Sequence, residues 1–118
     1  MKQESIWIST IAFAAALSTS SAFAATAQCV GLVKEVGNHV PGGLYVSVAD
    51  SGHTKICDLN VVFFRTTPAD CKQHLATAQL ALATGKTVSL WVDNAPTTAC
   101  ASITTWGSSD LRYFSVIK

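Results

Sequence analysis

The stretch Thr67–Asn94, TPADCKQHLATAQLALATGKTVSLWVDN, constrains the fold more than any other part of the chain. It reads as one helix running directly into a strand. Thr67 is a good N-cap, and Pro68 suits the first helical position, where a missing N–H costs nothing. Asp70 places a carboxylate at the positive helix end, and Gly85 supplies the left-handed residue that ends helices. At about 100° per residue, Cys71, Leu75, Ala78 and Leu82 share one stripe, predicted to face the core. The opposite side carries Lys72, Gln73, Ala76, Thr77, Leu80, Ala83 and Thr84, with a single charge. Exposed helices usually carry more charge. That side reads either as a quiet solvated face or as a contact between copies of the chain through Gln73, Thr77, Leu80 and Thr84.

The remaining signals are β-type. Gln28–Val36 reads as a strand with Val30, Leu32 and Val36 on one parity; Gly31 inside it suggests a bulge or a close backbone approach. A turn-rich segment, Gly37 to Gly43, leads to Leu44–Val48, where Leu44, Val46 and Val48 alternate with Tyr45 and Ser47. Asp50–His53 reads as a hairpin turn. A third strand starts at Thr54 and extends toward Phe64, with Cys57, Leu59, Val61 and Phe63 on one parity. After the helix, Val88, Leu90 and Val92 alternate with Ser89 and Trp91, and Leu111–Ile117 closes the chain. Three strands, a helix and a return to the sheet predict a mainly β protein, a small OB-fold-like barrel. The alternative is an open sheet with the helix across one face.

Residues 1–24 read as a signal peptide. A short polar start is followed by the apolar run Ile8–Leu17, and Ala22-Phe23-Ala24 fits a cleavage site near Ala24. The run is short for a membrane span, and no later stretch could cross one. Residues 25–118 are then a single domain, secreted or periplasmic. All four cysteines lie in it, an even count that reads as two disulfides. With no Cys-x-x-Cys pair and the histidines away from the cysteines, no metal site or cofactor is expected. A net charge of +1 offers no basic footprint for nucleic acid.

No set of residues supplies nucleophile, base and oxyanion donor together, and no Gly-x-Ser-x-Gly elbow is present. The expectation is a non-enzyme. His39, His53 and His74 fall on two loops and the helix and read as surface residues. The aromatics are more informative. Tyr45 and Trp91 lie on the parity opposite to the apolar residues of their strands, and Trp106 sits in a polar Thr-Thr-Trp-Gly stretch. Outward aromatics offer flat amphipathic surface to sugars or protein partners, so Tyr45, Trp91 and Trp106 are the candidate ligand-binding residues. Their competing reading is a second small core.

The Leu- and Ala-rich helix, the junction Thr84-Gly85-Lys86-Thr87-Val88 and the alternating strand after it resemble the B subunits of five-fold bacterial toxins, particularly those of subtilase cytotoxin and the pertussis-like toxins. The opening hairpin of Val30–Val48, Ile56-Cys57 and the late Ser109-Asp110-Leu111 are similar as well. The resemblance implies an OB-fold, a pentameric ring with helices lining the pore, and binding of a cell-surface glycan or glycoprotein. That family's sialic-acid-contacting serine falls near Cys29 here, so no binding residue is carried over. The alternative is a small secreted or periplasmic accessory protein, inhibitor-like, that binds another protein and no sugar.

Four cysteines allow three pairings. In an OB barrel the first strand runs antiparallel to the fourth, which brings Cys29 toward the segment before Cys100. The third strand ends near the connection into the helix, which brings Cys57 toward Cys71. The expected pairs are Cys29–Cys100 and Cys57–Cys71, with Cys57–Cys100 and Cys29–Cys71 as the main competitor.

Overall fold

The structure, a computed structural model, describes residues 25–117. The signal peptide expected over residues 1–24 lies outside them. Five strands and one long helix make up the fold: β1 (Ala25–His39), β2 (Gly43–Val48), β3 (Thr54–Asp58), α1 (Pro68–Thr84), β4 (Thr87–Ala95) and β5 (Leu111–Val116), with a 3-10 turn at Cys100–Ser102. The sheet order is β3-β2-β1-β4-β5, and all four neighbouring pairs are antiparallel.

β1 is the spine. Its first half pairs with β4, with Cys29 opposite Leu90 and Val30 opposite Ser89. Its second half pairs with β2, with Val36 opposite Val46 and His39 opposite Gly43. A bulge between Val33 and Glu35 separates the two halves. One extra residue reverses side-chain parity. Ala27, Cys29 and Val33 therefore point inward before the bulge, and Val36 packs against the core after it. The expectation that Val30 and Leu32 share the inward parity of Val36 is corrected here: they are 49% and 51% exposed. Gly31 marks a close approach, since a Cβ there would lie 2.9 Å from the Ala49 Cβ.

The sheet curls until its ends meet. The Lys55 amide donates to the Gly107 carbonyl at 2.9 Å, and the Ser109 amide donates to the Lys55 carbonyl at 2.8 Å. Residues 107–109, the lead-in to β5, thus lie parallel to β3. The core inside this curl is built from Leu44, Val46, Val48, Ile56, Val88, Leu90 and Val92, all fully buried. Burying each such side chain contributes roughly 1.5–3 kcal/mol.

The helix begins and ends where its sequence marks it. Thr67 Oγ1 accepts from the Asp70 amide, and Gly85 takes φ 70° while its amide donates to the Ala81 carbonyl. Its core face differs from expectation. Cys71, Ala78 and Ala81 are buried, whereas Leu82 is 46% exposed. Small residues let the helix backbone sit close to the sheet, so the alanine side turns inward and Leu80 and Leu82 are left outside. β3 also stops earlier than its apolar pattern suggests. Asp58 Oδ1 accepts from the amides of Asn60 and Val61, which pulls the chain into a turn. Val61, Val62 and Phe64 are consequently exposed on a loop.

The two disulfides are Cys29–Cys100 and Cys57–Cys71, the pairs expected from the strand order. Cys29–Cys100 ties the first half of β1 to the segment after β4. Cys57–Cys71 ties the end of β3 to the first turn of α1. No helix among the described residues is long and apolar enough to cross a membrane.

Candidate functional site

Past the bulge, alternation places Glu35, Gly37 and His39 of β1 on the outward face of the sheet, beside Tyr45 and Gly43 of β2. The register sets Gly37 opposite Tyr45 and Gly43 opposite His39. Tyr45 and His39 therefore each have a glycine across from them, and the His53 and Tyr45 rings lie against Gly37 and Gly43. A Cβ on Gly37 would come within 3.0 Å of the His53 ring, and one on Gly43 within 3.2 Å of the Tyr45 ring. These two glycines make the room.

Trp106 arrives from another part of the chain. Its amide donates to the His53 carbonyl at 2.7 Å, and its backbone takes φ 66°. That conformation is uncommon for a bulky residue and persists only where neighbouring structure enforces it. Here the hydrogen bonds of residues 106–109 to β3 enforce it, aided by Thr54 Oγ1, which lies 2.7 Å from Ser109 Oγ and donates to the Gly107 carbonyl at 3.2 Å. Gly52 allows the segment to pass, because a Cβ there would sit 2.3 Å from the Thr105 nitrogen.

The result is a four-ring cluster. His39 lies 4.8 Å from Tyr45 and 4.8 Å from Trp106 between ring centroids. Tyr45 lies 5.4 Å from His53 and 5.5 Å from Trp106, and His53 lies 5.2 Å from Trp106. These are ordinary separations for interacting rings. Trp106 remains 59% exposed, so the cluster is open on one side.

The imidazole of His53 is nearly covered. Its Nδ1 has no hydrogen-bond partner among the described residues, and the nearest carboxylate oxygen, Glu35 Oε1, stands 3.6 Å away. Glu35 itself is largely exposed. Lys55, opposite Tyr45 on β3, is engaged: its Nζ is 3.1 Å from Asp58 Oδ2 and 4.4 Å above the Phe63 ring. The Asn60 amide holds the Asp58 carboxyl below its ordinary range against the opposing effect of burial, with Lys55 and the Val61 amide helping.

Of the sequence-predicted ligand residues, Tyr45 and Trp106 meet. Trp91 sits on the other half of the sheet, opposite Gln28 and Tyr113, with its indole N–H donating to Ser89 Oγ at 2.9 Å. His39 and His53, expected to be plain surface histidines, belong to the cluster. The glycines opposite the rings were the signal that could have found them. His74 is half-buried against Phe114, with ring centroids 5.9 Å apart, and burial lowers its pKa. On the helix, Gln73, Leu80 and Thr84 are exposed and Thr77 is half-buried.

A cavity of about 120 Å³ lies behind the Trp106 segment, lined by Thr54, Ile103, Thr104, Gly107 and Ser109 among others. Sites that enclose small ligands run to roughly 300–1,000 Å³, so this cavity is small for one. No group of three or more metal-ligating side chains with suitable geometry occurs among the described residues. No family model matches the chain, and neither a curated protein nor a solved structure matches it.

Proposed function

We propose that this chain is a secreted, non-enzymatic binding module with an OB-fold-like barrel, resembling a toxin B subunit, and that it takes a cell-surface glycan or glycoprotein on the face formed by His39, Tyr45, His53 and Trp106. The observation that carries this reading is the ring cluster itself. Four rings gathered from four separate segments, one held with a left-handed backbone and well exposed, give a rigid amphipathic platform. Such rings stack on the C–H faces of sugars while imidazole nitrogens and the tyrosine hydroxyl reach sugar hydroxyls. Two disulfides suit an oxidising compartment. Glycan-array binding by the purified domain tests the proposal. Trp106→Ala should abolish the signal while the melting temperature stays within a few degrees; an unchanged array profile would reject it.

The protein-binding alternative has its own support in the exposed Val61, Val62 and Phe64, an apolar loop suited to a protein partner. Under either reading, the weakly charged helix face of Gln73, Thr77, Leu80 and Thr84 is the proposed contact between copies in a homo-oligomer, a pentamer if the toxin resemblance extends that far. Glutamates at positions 80 and 84 would repeat like charges around such an assembly. Light scattering should then show the L80E/T84E protein as a monomer and the parent as a larger species.

A further inference from the structure

We infer that the ring cluster selects sugars bearing an acetamido group, the N-acetylhexosamines, over the matching plain hexoses, with His39, Tyr45 and Trp106 as the specificity-determining residues; this rests on the glycan reading above. The first observation is what each outward aromatic does with its polar end. On the other half of the sheet these ends are bonded within the chain. The Trp91 indole N–H donates to Ser89 Oγ at 2.9 Å, and the Tyr113 hydroxyl accepts from Ser115 Oγ at 2.9 Å. In the cluster, the Trp106 indole N–H, the Tyr45 hydroxyl and the His39 imidazole have no hydrogen-bond partner among the described residues, and His53 Nδ1 has none either. The indole N–H only donates, a neutral imidazole has one donor and one acceptor, and a phenol does both. The free groups at the cluster are thus rich in donors.

The second observation is shape. The Trp106 ring stands at 83° to His39 and 90° to His53, with centroids 4.8 and 5.2 Å away. Trp106 and His39 are both exposed. The rings therefore form a right-angled corner of apolar surface with hydrogen-bonding groups at its edges. An acetamido group matches both observations. Its methyl fills an apolar corner and turns weakly positive C–H bonds toward negative ring faces. Its carbonyl oxygen has two lone pairs for the donors, and its N–H suits the acceptor nitrogen of an imidazole. A plain hydroxyl at the same carbon has no apolar end to fill the corner and leaves a desolvated donor unpaired, which is costly. Charge plays no part in this selection. Lys34 and Glu35, exposed and adjacent in the chain, have opposite signs, and Lys55 is engaged by Asp58 at 3.1 Å.

The test is an array of matched oligosaccharide pairs in which an N-acetylhexosamine is replaced by the plain hexose, such as N-acetyllactosamine against lactose and diacetylchitobiose against cellobiose. It is read with the parent protein, Tyr45→Phe, the Y45F/W106F double variant and Trp106→Ala. The phenylalanines keep a ring at each position and remove only the polar end. The parent should bind the N-acetylated member of a pair at least tenfold more strongly. The double variant should narrow that ratio at least threefold, and Trp106→Ala should lose both members. Equal binding of paired members by the parent, or a preference for the plain hexose, overturns the inference while leaving the glycan reading intact. So does a ratio unchanged in the double variant, or in Tyr45→Phe alone if the double variant fails to fold. A parent that binds no glycan overturns both.

Discussion

The two halves of the sheet put aromatic residues on their outward faces in different ways. On the half made by β1, β4 and β5, Trp91 stands opposite Gln28 and Tyr113, and Val30 opposite Ser89. These side chains follow simple strand alternation, and each neighbour has its own Cβ and its own place. On the half made by β1, β2 and β3, glycines at positions 37 and 43 face the rings, and a segment from late in the chain lays Trp106 across them. Outward parity is enough to expose an aromatic. Gathering four rings into one surface needs empty space beside them and a crossing segment above.

Charges divide in the same way. Near the second half of β1 the exposed Glu35 has its one basic contact among the described residues in His53, 3.6 Å away. At the far end of β4, Asp93 takes Arg112 Nε at 2.9 Å, a contact from Arg65, and the Thr26 hydroxyl at 3.0 Å. Burial raises the Asp93 pKa, but the hydrogen bonds from Arg112, Arg65 and Thr26 outweigh it and hold the carboxyl below its ordinary range. This region is tied down by a group of linked ion pairs, whereas on the ring face Glu35 and Trp106 stand open to solvent.

The sharpest way to break the comparison is to cut the link between the halves. Cys29 lies on the β4 side, and Cys100 begins the segment that ends at Trp106. Replacing both with alanine should cost about 2–5 kcal/mol, seen as a lower denaturant midpoint, with the Trp106 environment altered as well. A loss under about 1 kcal/mol would show that the segment is held by its hydrogen bonds alone.

A gentler cut acts on the ring half only. Gly52→Ala drives a Cβ into the backbone of Thr104 and Thr105. It should cost about 1–3 kcal/mol and shift tryptophan fluorescence as Trp106 leaves the cluster. Gly85→Ala is the control: its site has open space but φ 70°, so it should cost about 1 kcal/mol and leave the fluorescence unchanged.

Acid should weaken both halves. The His74 pKa is depressed in the folded state, so its contribution is present above about pH 6.5 and declines as pH falls through the folded value. Asp58 and Asp93 are also depressed, and their contributions are present above about pH 4 and lost below it. Melting temperature should therefore fall on acidification from neutral pH, and fall further below pH 4. D93N should flatten the lower limb; an unchanged limb would show that the ion pairs around Asp93 add no stability.

The smallest effect belongs to the β4 half. Val30→Thr, at an exposed strand position, should change stability by less than about 0.5 kcal/mol. Isothermal titration with any glycan found on the array should give the same affinity as the parent. A weakened affinity would move the recognition surface toward Trp91.

Much of the fold could be read from local patterns. The helix ends were marked by Thr67, Pro68 and Gly85 because capping is a matter of adjacent backbone groups. The alternation at Leu44–Val48 and Val88–Val92 placed those strands for the same reason. Cysteine pairing followed from strand order, which the succession of elements supplied. The parity of β1 could not be read, because a single extra residue at the bulge exchanges the faces of everything before it. Nor could the burial of Ala81 in place of Leu82, since how closely a helix approaches a sheet depends on both surfaces at once.

The site shows the same division. Sequence determined that Tyr45 would face outward and that Trp106 would lie in a polar segment. Only the tertiary structure decided that the two would meet, and that His39 and His53 would join them. The physical reason is that their contacts depend on the β1–β2 register, on room beside two glycines and on three backbone hydrogen bonds between residues 53–55 and 106–109. Each condition involves groups far apart in the chain, and no local propensity records them.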